Sequence, residues 1–512
     1  MATAVAQPLV EPAEQAQPLA EPPAEALPRG PRLSPFALTL IWSLAPGWVM
    51  DQCVRRLGDS FTLTFFPSGR KLVMVSDPEA VKAVFTAPPE VAPSAAGASP
   101  IASIMGPSSV ITLVGPEHMR QRKLLLPPFH GERMREYAEV IVQATRRSMS
   151  EWPLDEPMKL SERTRSITLE VILRAVFGVE ASRMDALRDA IGGLITPTQF
   201  PALLLFALRG PSLDRPGGSI GRALDHLDEV IYAEISRRRA QEDLGERADI
   251  LSLLLLARDE DGQAMTDQEL RDELVTLLLA GHETTATSVA WAIERLVRHP
   301  DKLARLVAEI DALSPTSPDG GAPNGSNGEV ADPPSRSASH SEGYPEGRTL
   351  KGAPHVGGQA SKQAGGDAYM QAVISETLRV RPVVPLVVRV LQKPLRVGAR
   401  ELPAGTRVVP SIYLTNRNPS VYDSPKEFRP ERFLERSPET FSWIPFGGGI
   451  RRCIGASFAT LEMKLILQTM LSELAPSLPA RGGRLFRRGE WSQRRAITLV
   501  PAGGARVVWR RR

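Results

Sequence analysis

Cysteine is scarce in this sequence, since Cys53 and Cys453 are the only two among 512 residues. Two cysteines exclude a framework of several disulfides and a four-cysteine zinc site. The scarcity is compatible with a reducing compartment, so we expect a cytoplasmic location. Either thiol taken alone is explained by core packing, which is the usual fate of a lone cysteine.

The chain also lacks a strong excess of charge of either sign. Its 62 basic and 58 acidic residues leave a formal net charge of +4, which is too even to predict a nucleic-acid partner. Residues 33–50 carry no charge, but they contain Ser, Thr, Pro and Gly, which weaken a membrane-spanning helix. We expect this segment to be a soluble amphipathic or interfacial piece, with membrane association absent or peripheral.

Two parts of the chain stand apart in composition. Residues 1–30 mix Ala, Pro and Glu, without the basic start and apolar run of a signal peptide, which predicts a disordered tail. Residues 314–366 are rich in Gly, Ser, Pro and Asn and hold few large apolar residues, which predicts a disordered insertion. The remaining residues, 31–512, are predicted to form one domain around that insertion.

Short strand patterns alternate with longer helical ones. Residues 60–66 and 71–75 flank a turn and predict a hairpin, and Asp77 predicts the start of a helix. Helical patterns dominate residues 116–312, with an apolar, loop-like interruption at 196–216. Because short strands return in the final third, we expect a mainly α fold with small β-sheets (α+β).

The strongest chemical signal is the segment Phe446-Gly447-Gly448-Gly449-Ile450-Arg451-Arg452-Cys453-Ile454-Gly455, which a helical pattern follows directly. Three adjacent glycines let the backbone approach a large, flat partner. A cysteine at a helix N-terminus meets unpaired N–H groups and the positive end of the helix dipole, and both favour the thiolate. Since thiolate is the form that ligates metals, Cys453 is a candidate metal ligand.

A second signal lies inside a long helical pattern. Thr266 and Glu269 predict a capping box, and the pattern continues to about Val297, which is roughly 45 Å of helix. In its middle, residues 280–285 read Ala-Gly-His-Glu-Thr-Thr and place polar groups in an apolar helix. A kink with threonine hydroxyls bonded back to carbonyls would explain them. An acid beside an alcohol would also deliver protons to a buried site.

These segments together resemble the cytochrome P450 family, in particular its soluble bacterial members, including those related to fatty-acid hydroxylases. The positions that match the family's haem-binding loop are Phe446, Gly449, Arg451, Cys453 and Gly455. The resemblance covers about residue 28 to the C-terminus, less the insertion. It implies a haem b cofactor, enclosed by a long distal helix and by the cysteine loop that includes Gly447, with Cys453 supplying the axial thiolate.

The resemblance also assigns roles in the long helix. The family places a small residue, Gly, any residue, an acid and Thr there, and this sequence supplies Ala280, Gly281, Glu283 and Thr284. The implied roles are proton relay for Glu283 and a hydrogen bond to bound oxygen for Thr284, with the two small residues beside the cofactor.

Four basic residues are implied to hold the haem propionates. Arg451 has this role in the family's loop, and Arg389 is a candidate for the other propionate. His118 and Arg122 lie one helical turn apart and share a face, as in many soluble bacterial members. The alternative in each case is a solvated surface charge.

A buried ionic cluster on the cysteine side of the haem is also implied. Glu376 and Arg379 are three residues apart, so they share a helix face, and the family joins such a pair to an arginine from a later loop, here Arg432. The family's His-Arg-Asp-Pro segment reads Asn416-Arg417-Asn418-Pro419 in this chain, a departure that touches no chemistry.

The function that the resemblance implies is oxygen-dependent monooxygenation of a lipophilic small molecule by a monomer, fed electrons by a ferredoxin or flavodoxin with its reductase. A fatty acid is our first expectation for the substrate. The contacts are expected from residues 88–110, 196–216, Leu277–Ala280 and Val383–Val388, with Arg209 as either a carboxylate anchor or a solvated residue.

Other functions stay open at this point. One is the tailoring of a terpene or polyketide secondary metabolite. Another is a peroxygenase, although peroxide-using relatives tend to lose the acid and alcohol that Glu283 and Thr284 supply. A third is a haem-thiolate sensor, which needs no proton relay and usually carries an output domain.

We predict that Cys453 alone ligates iron through sulfur. The reduced protein with carbon monoxide should show the red-shifted Soret band of thiolate ligation, because only Cys453 follows a glycine loop. Cys53→Ser should leave that band unchanged, whereas Cys453→Ser should abolish it. The opposite pattern in the two variants would end this assignment.

Overall fold

The computed structural model describes residues 20–98, 102–129, 133–178, 181–195, 216–313, 366–480 and 489–512. Of the tail and the insertion that the sequence predicts to be disordered, residues 1–19 and 314–365 lie outside this range, as does most of the 196–216 stretch. Residues 20–30 pack against the domain: Leu27 is buried, and Thr62 donates its hydroxyl to the Pro28 carbonyl over 2.6 Å. The packed part of the chain therefore begins before residue 31.

Helices make up most of the described chain. In order they are α1 (Pro35–Leu44), α2 (Pro46–Leu57), α3 (Pro78–Thr86), α4 (Ala102–Met105), α5 (Gly115–Leu125), α6 (Arg133–Met149), α7 (Leu160–Phe177), α8 (Ala181–Ile195), α9 (Gly218–Arg239), α10 (Ile250–Leu256), α11 (Asp267–Leu296), α12 (Pro300–Leu313), α13 (Ala368–Val380), α14 (Ile412–Thr415), α15 (Arg432–Glu435) and α16 (Ala456–Glu473). No helix among the described residues is long and apolar enough to cross a bilayer.

The strands are short and form small sheets. They are β1 (Ser60–Thr64), β2 (Lys71–Val75), β3 (Pro157–Lys159), β4 (Arg389–Val390), β5 (Leu395–Val397), β6 (Arg400–Leu402), β7 (Arg407–Pro410), β8 (Leu474–Ser477), β9 (Ser492–Arg495), β10 (Thr498–Pro501) and β11 (Arg506–Arg511). The described sheets have the orders β1-β2-β7-β4, β3-β11-β8, β5-β6 and β9-β10. The predicted mainly α architecture with small sheets is confirmed.

Local sequence signals account for several of these boundaries. The predicted hairpin is β1 and β2, paired antiparallel with Leu63 opposite Leu72. The Asp77 carboxylate accepts from the Ala80 N–H at the start of α3. Thr266 and Glu269 form the predicted capping box of α11, so the free N–H groups of that helix are satisfied by side chains from its own first turn.

The long helix α11 crosses the middle of the core. It packs against α7, α9, α13 and α16. Gly281 lies close to α7, because a Cβ at that position would lie 3.1 Å from a methyl carbon of Ile172. The missing side chain of Gly281 therefore serves the packing of two helices.

The ionic cluster implied by the sequence is assembled on α13. The Arg379 guanidinium contacts the Glu376 carboxylate at 2.6 Å, and both side chains are fully buried. Arg432 reaches the same carboxylate at 3.2 Å. Arg379 also donates to the carbonyls of Asn416 and Glu427, so this cluster joins α13 to the segments that lead to the cysteine loop.

We predict that Glu376→Gln costs about 3–5 kcal/mol of unfolding free energy, because it leaves the buried guanidinium of Arg379 without a counter-charge. Urea unfolding of the haem-loaded protein measures this. Glu162→Gln is the matched control, since Glu162 pairs with Lys159 at an exposed site and should cost under about 1 kcal/mol. Equal stabilities of the two variants would contradict a structural role for the cluster.

We also predict that residues 316–364 can be replaced by a short Gly/Ser linker. The described ends of this segment are adjacent, because the N–H groups of Tyr369 and Met370 donate to the Glu309 carboxylate at 2.7 and 2.8 Å and Gly366 lies against the side chain of Leu313. Shortening a closed loop recovers entropy only slowly, so thermal stability should be unchanged or slightly raised. Loss of haem incorporation would show that the segment packs.

Candidate functional site

The glycine-rich loop is held against α3 by close backbone contacts. A Cβ on Gly448 would lie 2.5 Å from the Phe85 ring, and one on Gly449 would overlap the Phe85 carbonyl oxygen. Gly447 and Gly449 both have positive φ, at 69° and 66°, which favours glycine. Two of the three glycines thus admit Phe85, whereas Gly447 faces open space where a flat ligand has room.

Cys453 lies at the end of this loop, three residues before α16. Its N–H donates to the Phe446 carbonyl at 3.0 Å, and the Phe446 ring packs against the main core. The Cys453 side chain remains accessible. Desolvation by the surrounding protein raises the pKa of its thiol, and the Gly455 N–H, Arg452 and Arg122 oppose that rise. A bound metal ion supplies the further positive charge that deprotonates such a thiol.

Cys53 has a different environment. It is 4% exposed and packs on α2 in a cluster of apolar side chains. Burial raises the pKa of its thiol to about 11. Among the two cysteines, this one has the properties of a core thiol.

A small pocket lies beside the cysteine loop, and three of the basic residues singled out from the sequence line it. The three basic residues are His118, Arg389 and Arg451. Phe85, Val114 and Gly448 also line the pocket. Arg122 does not line this pocket, but its charge acts on both His118 and Cys453. The structure therefore brings together residues from α5, β4 and the cysteine loop.

These basic groups have no acidic partner among the described residues. The guanidinium of Arg451 donates to the carbonyls of Val110, Ile111 and Leu113, and that of Arg389 donates to the Val388 carbonyl. Burial and the neighbouring arginines lower the pKa of His118 to about 4. Its Nδ1 atom is buried without a hydrogen-bond partner.

A dianionic ligand fits this arrangement. Burial lowers the pKa of Arg389 to about 10, and burial with the neighbouring Arg389 and Arg122 lowers that of Arg451 to about 10. Carboxylates would relieve this repulsion through charge-assisted hydrogen bonds. The two propionates of a haem whose iron faces Cys453 supply two such carboxylates, so the donor set and the cofactor are chemically matched.

The middle of α11 is incompletely covered, although the helix is buried along most of its length. Leu279 and Glu283 keep some accessible surface, whereas residues 285–294 are buried. Leu277, Ala280, Gly281 and Thr284 are accessible as well. These four positions share one helix face by their spacing of three and four. The described residues therefore leave this face incompletely covered, as expected for a helix that lies over a ligand.

The acid and the alcohol of α11 make separate contacts. Thr284 donates its hydroxyl to the Ala280 carbonyl at 2.7 Å, which is the back-bonding that weakens the helix locally. A carboxylate oxygen of Glu283 lies 3.5 Å from the Arg495 guanidinium on β9, and it has no hydrogen-bond partner. Glu283 is therefore oriented toward β9 by a weak ion pair.

Two site residues were missed from the sequence. Arg495 is the partner of Glu283, and no local pattern indicates such a pairing. Glu462 on α16 is fully buried and hydrogen bonded to Thr285, and burial raises the pKa of its carboxyl to about 8. The sequence could have indicated that Glu462 is buried, because it shares a helix face with the apolar residues Phe458, Ile466 and Met470.

Several of the basic residues near the cysteine loop and on α5 are already paired with acidic residues. The Lys464 ammonium forms an ion pair with Asp367. Lys123 pairs with Glu260 at 2.7 Å, and Arg120 pairs with Asp259 and Glu269 at 2.5 Å. Arg452 is half-buried and forms no ion pair with a described carboxylate.

Comparisons with known proteins agree with this site. The model of the cytochrome P450 family matches residues 28–318 and 368–488. The chain is 38% identical over 488 residues to putative cytochrome P450 137 of Mycobacterium tuberculosis, covering 94% of this chain and 90% of that protein. It is 35% identical over 484 residues to putative cytochrome P450 135B1 of Mycobacterium bovis, covering 94% and 91%.

Solved structures share the fold. A cyanobacterial CYP120A1 with bound retinoic acid superposes with a TM-score of 0.72 at 23% identity, covering 95% of this chain and 99% of that one. The haem domain of cytochrome P450DA gives the same TM-score at 22% identity, covering 95% and 98%. Members of the family use molecular oxygen, redox partners and lipophilic substrates. This chain belongs to the cytochrome P450 family and is a haem-thiolate monooxygenase whose haem is bound through a cysteine.

Proposed function

We propose that this monooxygenase holds its haem between Cys453 and the uncovered face of α11 and hydroxylates a long apolar molecule, with a medium or long fatty acid as the first candidate. The observation that carries the proposal is the accessible strip Leu277, Ala280, Gly281 and Thr284 on an otherwise buried helix.

On the cysteine side, Cys453 is the proposed iron ligand. The Gly455 N–H and the charges of Arg452 and Arg122 stabilise its thiolate. His118, Arg389 and Arg451 are proposed to hold the propionates, with Arg122 adding positive charge behind His118. The haem, when bound, activates oxygen, and its thiolate ligand favours cleavage of the O–O bond.

On the opposite side, this chain supplies protons to a site that is mostly shielded from water. Thr284 is proposed to give up its hydrogen bond to the Ala280 carbonyl and to donate instead to the oxygen substrate, because its hydroxyl lies on the uncovered face. Glu283 is proposed as a proton relay, which requires its weak pair with Arg495 to open. Glu462 interacts with Thr285, the neighbour of Thr284, and its pKa is raised to about 8. It is therefore proposed as a second proton donor near neutral pH.

The proposed substrate follows from partly buried apolar side chains on α11 and in the segment before β4. Leu277 and Leu279 on α11, and Val384 and Leu386 before β4, are only partly buried. About ten methylenes at about 0.8 kcal/mol each would bind such a surface without a polar anchor. The similar structure that holds retinoic acid is consistent with a fold that accommodates a long apolar carboxylic acid. Arg209, expected as either a carboxylate anchor or a solvated residue, lies outside the described residues.

Electrons are proposed to come from an acidic ferredoxin or flavodoxin that docks on the cysteine side, in a cytoplasmic and monomeric enzyme. Because Lys464 is paired with Asp367, Arg452 is the stronger candidate for the contact. Attraction between opposite charges weakens with ionic strength. A rate of reduction that does not change with salt would argue against an electrostatic dock.

We predict that Thr284→Ala binds haem and substrate normally but wastes electrons as hydrogen peroxide, because the hydroxyl that directs protons is lost. Product formed per reductant consumed should fall several-fold. Thr284→Ser, which keeps the hydroxyl, is the matched control and should retain most of the coupling. Unchanged coupling in Thr284→Ala would remove Thr284 from the mechanism.

We predict that affinity for saturated fatty acids rises with chain length, because each added methylene buries more apolar surface. The measurement is a titration that follows the spectral shift on displacement of iron-bound water. Methyl esters test the carboxylate anchor, and terpenes and macrolides serve as comparators. Tight binding of a bulky polycycle without a trend along the fatty acids would favour the tailoring of a secondary metabolite.

A further inference from the structure

The first helix of the domain is apolar on both faces. The residues of α1 carry no charge. Leu38 and Trp42 point into the core, where the Trp42 ring meets Phe65 at 5.5 Å. The outer face is also apolar, because Phe36 is 62% exposed, Leu40 52% and Leu44 62%. A surface helix ordinarily has a polar outer face, and a helix that is apolar all round is normally covered.

The apolar surface extends beyond α1. Phe66, in the turn between β1 and β2, places its ring 5.7 Å from that of Phe36, and its N–H donates to the Thr39 hydroxyl. Trp48, at the start of α2, is 54% exposed. We call this surface the α1 patch; its exposed members are Leu33, Phe36, Leu40, Leu44, Trp48 and Phe66. A group of exposed apolar side chains of this kind is typical of an interaction site.

The charges around the α1 patch are basic. Arg29 and Arg32 immediately precede α1 and are exposed. Neither side chain forms an ion pair with a described residue. Two acids in this part of the chain are already paired, Glu21 with Arg407 and Asp51 with Lys426. The segment 29–50 therefore presents two positive charges beside an uncharged apolar face.

We propose that the α1 patch docks on the surface of an anionic lipid bilayer. Aromatic side chains with flanking Arg are the composition of interfacial membrane segments. Ten helical residues span roughly 15 Å, about half of the hydrocarbon core, so α1 lies in the interface and does not cross it. The basic residues meet the lipid phosphates while the apolar side chains enter the acyl boundary. This docking is independent of the substrate proposed above.

The test is sedimentation of the haem-loaded, full-length protein with vesicles of phosphatidylcholine and phosphatidylglycerol. We expect the wild type to bind, and the triple variant Phe36→Ser, Leu40→Ser, Leu44→Ser to bind at least tenfold more weakly. The matched control is Leu256→Ser, Leu434→Ser, Leu478→Ser, which removes three similarly exposed leucines elsewhere and should bind as the wild type does. An unchanged carbon monoxide spectrum shows that each variant is folded.

The charge part of the proposal has its own variant. Arg29→Gln with Arg32→Gln should lower binding to the anionic vesicles toward the level seen with phosphatidylcholine alone. Failure of the wild type to bind vesicles, or equal losses in the two triple variants, would overturn the proposal. A wild-type dimer that the α1 triple variant alone dissociates would also overturn it, because a second copy would then cover the patch.

Discussion

The long helix α11 packs in the core over most of its length but leaves one face of its middle uncovered, and the arrangement of the core around it depends on this combination. α11 fills the core with α7, α13 and α16, but for about two turns it leaves one face accessible. Gly281 brings it close to α7 at a cost of about 1 kcal/mol in helix propensity. The polar groups of Glu283 and Thr284 sit in those same two turns, so the chemistry is placed where the packing is interrupted.

The second constraint is unbalanced positive charge. Besides burial, the charges of Arg451, Arg122 and Arg389 lower the pKa of His118, and those of Arg389 and Arg122 lower the pKa of Arg451. No described carboxylate pairs with these four residues. An anionic cofactor that binds only the folded chain stabilises it by mass action. If these residues hold the haem as proposed, folding and haem binding would be coupled through electrostatics as well as through the iron–sulfur bond, because the cofactor would neutralise charges that repel one another in the empty protein.

The sequence predicted those features that local chemistry determines. The capping box at Thr266, the turn between β1 and β2, and the end of α11 near Val297 depend on residues a few positions apart. The parallel pairing of Val73 with Val408 could not be predicted, because alternation of apolar residues reports a strand's faces and not its partners. The packing of residues 20–30 was missed for a similar reason, since Leu27 finds its burial through distant residues.

In the candidate site, too, local sequence patterns predicted some residues, whereas contacts between distant residues could not be predicted. Cys453 and its glycines stood out because their types and spacing are unusual. The pairing of Glu283 with Arg495 spans more than 200 positions and leaves no local trace. Gly448 and Gly449 were correctly expected to permit a close approach, but the group that approaches them is Phe85. A residue type limits what a position can do, and only the fold decides which neighbour uses it.

The two cysteines show how strongly location controls one functional group. Both thiols have a raised pKa because of burial. Cys53 is surrounded by apolar side chains, with only the distant charge of Arg56 to favour ionisation. Cys453 has an N–H group and two arginines that favour the thiolate, and it keeps an accessible surface. A raised thiol pKa therefore does not by itself distinguish a metal-ligating cysteine from a core cysteine. What distinguishes Cys453 is positive potential combined with room for a metal.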